Sequence, residues 1–381
     1  MFAGDWQLSF HIAHCSFIIY HFCFSFKDFY HDQLMKTENF ITIDGSYGEG
    51  GGQILRTALS LAMLTRQSLK LVNIRSGRKK PGLRPQHLAC LQACATISQG
   101  RVAGAELGSK GFTFSPGATI AGSYTFSIGT AGSATLVLQT VIPPLSTAEG
   151  ESNLVVSGGT HVPWSPPYHY FDQVFAAAIN QLGFKCDPAI RRWGWYPKGG
   201  GEIQVRVRPH EPLKSMILDK PFELRHVSGL SASSKLPEHV RIRQKKQVQI
   251  RLQQAGVKSE IKLLDTPALS PGSLVFLCAQ GKDSFAGFFA LGARGKPAEQ
   301  VADEAAEKLI CFLDGEAALD PHLADQILIY LALAPGDHQF TTSRVTHHLL
   351  TNAWVVEKFL AVKFEVTGAL GEPGRVVKKD T

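Results

Sequence analysis

The feature that most restricts this chain is the run Asp44-Gly-Ser-Tyr-Gly-Glu-Gly-Gly-Gly52, with five glycines between Gly45 and Gly52. Before it lies Phe40-Ile-Thr-Ile43, an aromatic and β-branched stretch that predicts a strand. After it, Ile54, Leu55, Ala58, Leu59 and Ala62 recur at helical spacing. A glycine turn between strand and helix leaves backbone N–H groups free at a helix start, where the dipole favours an anion. No Gly-Lys-Ser/Thr follows, so this is not a Walker A loop, and Gln53 stands where the last glycine of G-x-G-x-x-G should be. Tight turns also need glycine for positive φ, so the glycines alone fit a purely structural turn. Glu49 inside the loop and Arg56 in the first helical turn argue further, because a cation at a helix N-terminus opposes the dipole and needs another reason to be there.

Strand, turn and helix signals recur along the chain. A strand at Leu69 to Ile74, a helix near Gln86 to Ser98 and strands around 111 to 128 complete a first unit. The turn Gly129 to Ser133, a helix through Leu136 and Val141, the strand Leu154 to Ser157, a helix at 169 to 182 and the strand Glu202 to Val207 form a second. A third helix pair follows at Leu323 to Leu333 and His348 to Leu360, with a strand near Gln339 to Thr342 between them. The fold class expected is α/β, in α+β sandwich-like units of βαβαββ type used three times. Between the second and third pairs, residues 222 to 315 carry their own signals, including a basic helix from Glu238 to Gln254 and a helix from Ala298 to Leu313. The expected division is a body of two repeats over 35–221, an inserted small α/β domain over 222–315, a third repeat over 316–368 and a solvated tail over 369–381.

Residues 1–34 differ from the rest, holding seven of the 23 Phe and four of the 14 His without clean periodicity. His21 interrupts the apolar run and no small-x-small site follows, which argues against a signal peptide. Met35 leads directly into the first strand, so we expect it to be the natural start and 1–34 to be a non-native or disordered extension. Seven Cys, an odd number with no CxxC pair, argue against a zinc ribbon or a disulfide framework and suit a reducing cytoplasm. No stretch of about 18 apolar residues predicts a spanning helix. The formal charge of +7 suits a polyanionic substrate, yet over 381 residues it is modest, so any anion site must be local.

Two clusters meet that requirement. Arg75, Arg78, Lys79, Lys80 and Arg84 fall within ten residues framed by Gly and Pro. Basic loops are commonly just solvated, but rigid framing suggests charges aimed at phosphates, for which planar Arg is suited. Thr346-His-His-Leu-Leu-Thr-Asn352 opens the last helix; adjacent His point in different directions, so one at most belongs to a given site. No third ligand at metal spacing accompanies them, which excludes zinc.

Together these residues resemble a known family, the RNA 3'-terminal phosphate cyclases. The resemblance is carried by Asp44 to Arg56, Ile74 to Leu83, Ser127-Ile-Gly-Thr-Ala-Gly-Ser-Ala-Thr-Leu-Val-Leu-Gln139, Val156-Ser-Gly-Gly-Thr160, Leu323-Ala-Asp-Gln326 and His348-Leu-Leu-Thr-Asn352. It runs from about residue 38 to about 365 in the family's order. It implies repeats similar to the C-terminal domain of a translation initiation factor, with a small domain inserted before the last. It also implies ATP-dependent conversion of an RNA 3'-phosphate to a 2',3'-cyclic phosphodiester, through a histidine-bound AMP and an RNA-pp-A end, with Mg²⁺ or Mn²⁺ as cofactor. His348 would be the nucleophile and His347 outside the pattern; Glu49, Arg56 and Arg78 would be catalytic, and Arg56, Arg78 and Gln86 would hold the RNA phosphate. Gln139, His322, Leu323, Ala324, Asp325 and Gln326, together with Pro166, match ATP-binding positions, and Glu49 and Asp325 would be the metal ligands. Many members carry Tyr where this chain has His322, whose ring stacks less extensively on adenine.

The rivals are three. A catalytically dead relative acting in ribosome assembly would lack the nucleophile, whereas His348, Arg56 and Arg78 are kept together here. An enolpyruvyl transferase of related repeats would leave the His motif without a job. A nonspecific RNA-binding module using the basic helix would want more charge and a recognisable RNA-binding signature. The partners expected are ATP and RNA with a 3'-phosphate end, without a membrane; a homodimer is left open.

Overall fold

The protein was analysed as a computed structural model, which describes residues 39–380. The expectations for 1–34 and for Met35 lie outside the described residues. Strand β1 (Phe40–Asp44) passes through the glycine turn into helix α1 (Gly52–Thr65), followed by β2 (Ser68–Val72), α2 (Pro85–Ser98), β3 (Arg101–Ala103) and β4 (Phe112–Ser115). The second unit runs β5 (Ser123–Ser127), α3 (Ala134–Ser146), β6 (Ser152–Gly158), the helical run α4 (Tyr168–Tyr170, the π-helical Phe171–Ala176 and Ala177–Gln181), β7 (Lys185–Arg192) and β8 (Gly201–Arg208). The third opens with the two residues of β9 (Ile217–Leu218) and resumes with α7 (Pro321–Gln326), α8 (Leu328–Leu333), β14 (His338–Thr342), α9 (His347–Glu357), β15 (Val362–Thr367) and β16 (Gly374–Asp380).

The class is α/β, built on four-stranded sheets. In three of them the strands lie in one order, first-second-fourth-third of the unit: β1-β2-β4-β3, β5-β6-β8-β7 and β9-β14-β16-β15. In the second and third, the first pair is parallel, as a helical crossover requires, and the remaining pairs are antiparallel. β6 alternates buried with half-buried residues and β8 buried with half-buried or exposed ones, which puts helices on one sheet face and the other toward water. Helix α1 has no such polar face: Ile54, Leu55, Ala58, Leu59, Leu61 and Ala62 are all buried. A helix apolar on most sides belongs inside, and α1 packs against α2, α3 and α9.

The inserted segment contributes β10 (Leu224–Ser234), α5 (Glu238–Gln254), β11 (Ser259–Asp265), β12 (Gly272–Gly281), β13 (Phe285–Leu291) and α6 (Ala298–Leu313), with sheet order β11-β10-β12-β13. β12 is buried on both faces. Leu274, Phe276 and Cys278 join the main core, while Val275, Leu277 and Ala279 join a second core under α5 and α6. The basic character of α5 is largely spent inside this segment: Arg243 pairs with Glu299 and Arg251 with Glu307, both on α6, while Arg241 is buried beside Glu238.

Several expectations need correction. Residues 374–380, expected in a solvated tail, form β16, which pairs with both β14 and β15 and buries Val376 and Lys378. The segment over 222–315 enters after β9, so it interrupts the third unit rather than preceding it. β5 does not complete the first unit but starts the second, since it pairs with β6. β3 and β7 were not expected at all. β3 is exposed along its length and β7 carries Pro188, so neither shows clear alternation. No helix among the described residues is long and apolar enough to cross a membrane.

Candidate active site

A cleft of about 730 Å³ opens where α1, α2, α3, α7 and α9 converge. The start of α1 forms its floor: the N-cap Gly51 makes no side-chain cap, and Gly51, Gly52 and Gln53 line the wall. Free N–H groups at such a start favour negative charge. The glycine loop is clamped onto α9 one residue per turn. Tyr47 stacks on Trp354 at 4.0 Å, Gly48 lies against Thr351, and Glu49 meets His348. Gly48 has φ +57°, and a Cβ there would lie 2.2 Å from Thr351 Oγ1, so only glycine fits this close approach.

Of the two adjacent histidines, His348 lines the cleft and His347 is exposed elsewhere. His348 Nδ1 lies 2.8 Å from Glu49 Oε2 and also donates to Gln53 Oε1. Two oxygen acceptors on one ring nitrogen place the proton on Nδ1. Nε2 then carries the lone pair, and it has no hydrogen-bond partner among the described residues. The hydrogen bond that Nδ1–H donates to Glu49 holds the imidazole pKa above its ordinary value, against the opposing effect of burial. Burial raises the pKa of Glu49, but the hydrogen bond and charge of His348 and the charge of Arg78 outweigh it and leave the carboxyl below its usual range.

Gln53 is the hub of a second layer. Its Nε2 donates to Asp325 Oδ1 at 3.3 Å, Asn352 Nδ2 donates to the Asp325 carbonyl at 2.6 Å, and Thr57 Oγ1 donates to Asn352 Oδ1. Asn352 follows His348 by one helical turn, on the same face of α9. Burial pushes Asp325 up to about 7, with His348 and Arg56 opposing.

The cationic side is made by Arg56, Arg75 and Arg78. Arg78 is ion-paired with Glu49, the carboxylate that also binds His348. Arg75 donates to the carbonyls of Lys80 at 2.8 Å and Gly82 at 3.1 Å, so it shapes the basic loop. Lys79, Lys80 and Arg84 do not line the cleft, which corrects the expectation that the whole cluster is aimed at phosphates. Gln86 also lines it and accepts from the Ser133 N–H at 2.8 Å. His87, not anticipated, is buried here. Its Nδ1 accepts from the Arg84 N–H at 3.1 Å, leaving Nε2–H as a donor, and burial with the neighbouring arginines lowers its pKa to about 3.

The opposite wall holds Gln139, Pro166, His322, Asp325 and Gln326. Gln139 Nε2 donates to Gln326 Oε1 at 2.7 Å, and Thr135 Oγ1 donates to the Pro166 carbonyl at 2.8 Å. His322 meets Tyr170 edge-on at 6.1 Å. Leu323 and Ala324, expected among the nucleotide-binding residues, are fully buried in the core and do not line the cleft; helical spacing turns them inward while His322, Asp325 and Gln326 face out. Gln53, Asn352 and Trp164 were also missed. Gln53 is, with Arg56, a long polar side chain at the start of a largely apolar helix, a signal visible in the sequence. The cleft thus places an unpartnered imidazole nitrogen among arginines, open backbone N–H groups and two carboxylates.

The family model for RNA 3'-terminal phosphate cyclase matches residues 47–366. A protein of Pyrococcus furiosus named RNA 3'-terminal phosphate cyclase is 43% identical, over 89% of this chain and 99% of its own length. Proteins of the same name from Archaeoglobus fulgidus and Methylococcus capsulatus are 44% and 43% identical, over 85% and 86% of this chain and 98% and 92% of theirs.

Proposed function

The chain belongs to the RNA 3'-terminal phosphate cyclase family, and from that premise we propose that it converts an RNA 3'-phosphate to a 2',3'-cyclic phosphodiester at the expense of ATP, with His348 as the carrier of AMP. One observation carries the assignment of His348. Its Nδ1–H is held by Glu49 and Gln53, so the other nitrogen presents a lone pair beside the arginines and the open start of α1.

In the first step His348 Nε2 attacks the α-phosphorus of ATP, the bond to the bridging oxygen breaks, and pyrophosphate leaves. The ring becomes cationic as the N–P bond forms. The Glu49 carboxylate, already bonded to Nδ1–H, stabilises that charge. Arg56 and Arg78 hold phosphate oxygens, with His87 Nε2–H a neutral donor beside them. In the second step an oxygen of the RNA 3'-phosphate, held by Arg56, Arg78 and Gln86, attacks the same phosphorus. His348 leaves as neutral imidazole with Nδ1–H in place. In the third, the 2'-hydroxyl attacks the adjacent activated phosphorus, its proton passes to solvent, and the anhydride P–O bond breaks to release AMP. That step is intramolecular, so positioning supplies much of the acceleration. Gln139, Pro166, His322 and Gln326 form the wall on which the nucleotide rests.

Among the described residues no group of three His, Cys, Asp or Glu could hold a metal by itself. Asp325 and Glu49 supply two carboxylates, the donor set of a hard ion whose remaining ligands are phosphate and water. They would hold Mg²⁺ or Mn²⁺, which when bound neutralises phosphate charge.

The test is an RNA carrying a 3'-phosphate, incubated with the protein, ATP and Mg²⁺ or Mn²⁺. The expected result is an end resistant to phosphatase, with AMP and pyrophosphate released in step. An end that stays phosphatase-sensitive would overturn the reading.

A further inference from the structure

Trp164 stands fully exposed on the rim of the cleft. Leaving the largest side chain in water forfeits its burial energy, and this one does so in a strained backbone: its φ is +65°, left-handed space that bulky residues avoid. Nothing about its loop is slack. Pro163 precedes it and Pro166-Pro167 follow, Ser165 Oγ donates to the Val162 carbonyl at 3.0 Å, and the Pro166 carbonyl is tied to Thr135. Strain maintained by a rigid loop at the mouth of a site points to a use. The same cleft carries Arg56, Arg75 and Arg78, so an anionic polymer drawn into it passes an aromatic face at the rim.

We propose that Trp164 is a stacking platform for one of the last two bases of the RNA, positioning the 3'-phosphate toward His348. The proposal rests on the cyclase reading. An RNA base is favoured over the adenine of ATP because the ring projects wholly into solvent, where a polymer continues beyond the cleft. Aromatic stacking of single-stranded bases is sequence-tolerant, since every base has a flat face.

The experiment compares wild type, Trp164→Ala and Trp164→Phe on 3'-phosphate RNAs that are intact or abasic at the last or the penultimate position. From the usual strength of base stacking, Trp164→Ala should raise KM for intact RNA about 5- to 100-fold, with kcat and KM for ATP kept. Trp164→Phe should stay near wild type. On one of the two abasic RNAs the wild type should be weakened to the same degree, with no further loss in Trp164→Ala. An unchanged KM for RNA would overturn the proposal, and so would a raised KM for ATP, which would assign the ring to adenine. Wild type that forms no cyclic ends is a separate outcome, one that removes the cyclase reading and this proposal with it.

Discussion

His348 Nδ1 and Glu49 Oε2 lie 2.8 Å apart, which joins the start of the last helix to the glycine loop that follows the first strand. That contact both fixes the tautomer and raises the imidazole pKa. The neutral ring is the nucleophile, so adenylation is lost as pH falls through the raised value. In Glu49→Gln the ring should lose its proton at lower pH, and the acid limb of single-turnover adenylation should move toward lower pH while the plateau drops by about tenfold or more. A limb that stays put or moves upward would contradict this.

Gln53 holds the same nitrogen and also Asp325, so Gln53→Leu removes two hydrogen bonds from one side chain. We predict adenylation slowed by roughly 10- to 100-fold, as expected for losing hydrogen bonds to charged groups. Circular dichroism should show the fold intact. Wild-type adenylation in this variant would mean that Glu49 alone orients the ring.

Gly48→Ala adds a Cβ that would meet Thr351 Oγ1 and places alanine at φ +57°. The two penalties are separable. The single variant should lose about 2 kcal/mol or more of stability, and Gly48→Ala with Thr351→Ala should recover the clash but keep the roughly 1–2 kcal/mol cost of left-handed backbone. Denaturant unfolding of the four proteins checks this, and strictly additive effects would contradict it.

His161 and His169 face one another at 3.0 Å between Nε2 and Nδ1, buried against Trp193 and Trp195. Trp195 Nε1 donates to Ser234 Oγ at 2.7 Å, which ties this cluster to the inserted segment. Burial lowers His169 to about 4, and burial beside His169 lowers His161 as well. Both folded values lie below the unfolded one, so the stability present above pH 6.5 is lost as pH falls toward 4. At pH 5 His169 alone accounts for about 2 kcal/mol. His169→Gln keeps a hydrogen-bonding side chain without that titration, and its stability loss between pH 7 and pH 5 should be smaller by that amount. An equal loss in both proteins would contradict the assignment.

What the sequence revealed follows from what is local. The glycine loop and Arg56 stand in one contiguous motif whose residue types point to an anion site, whereas His348 was separated from His347 only by the family resemblance. Gln53, Asn352 and Asp325 come from α1, α9 and α7, so their network exists only once three helices meet. Leu323 and Ala324 shared a motif with Asp325 and Gln326, but a motif does not say which way each residue of a helix turns. β16 was hidden by Gly368, Gly371 and Pro373, which read as the end of structure, while Val376 and Lys378 alternate inward beyond them. β9 has only two residues before the chain leaves for the insert, too short a run to register as a strand.

The central claim is that His348 carries adenylate, and the most direct measurement is capture of label from α-labelled ATP on the denatured protein, scored beside cyclisation of a 3'-phosphate RNA. Wild type and His347→Ala should hold the label and cyclise, and His348→Ala should do neither. Cyclisation at the wild-type rate by His348→Ala would contradict the account.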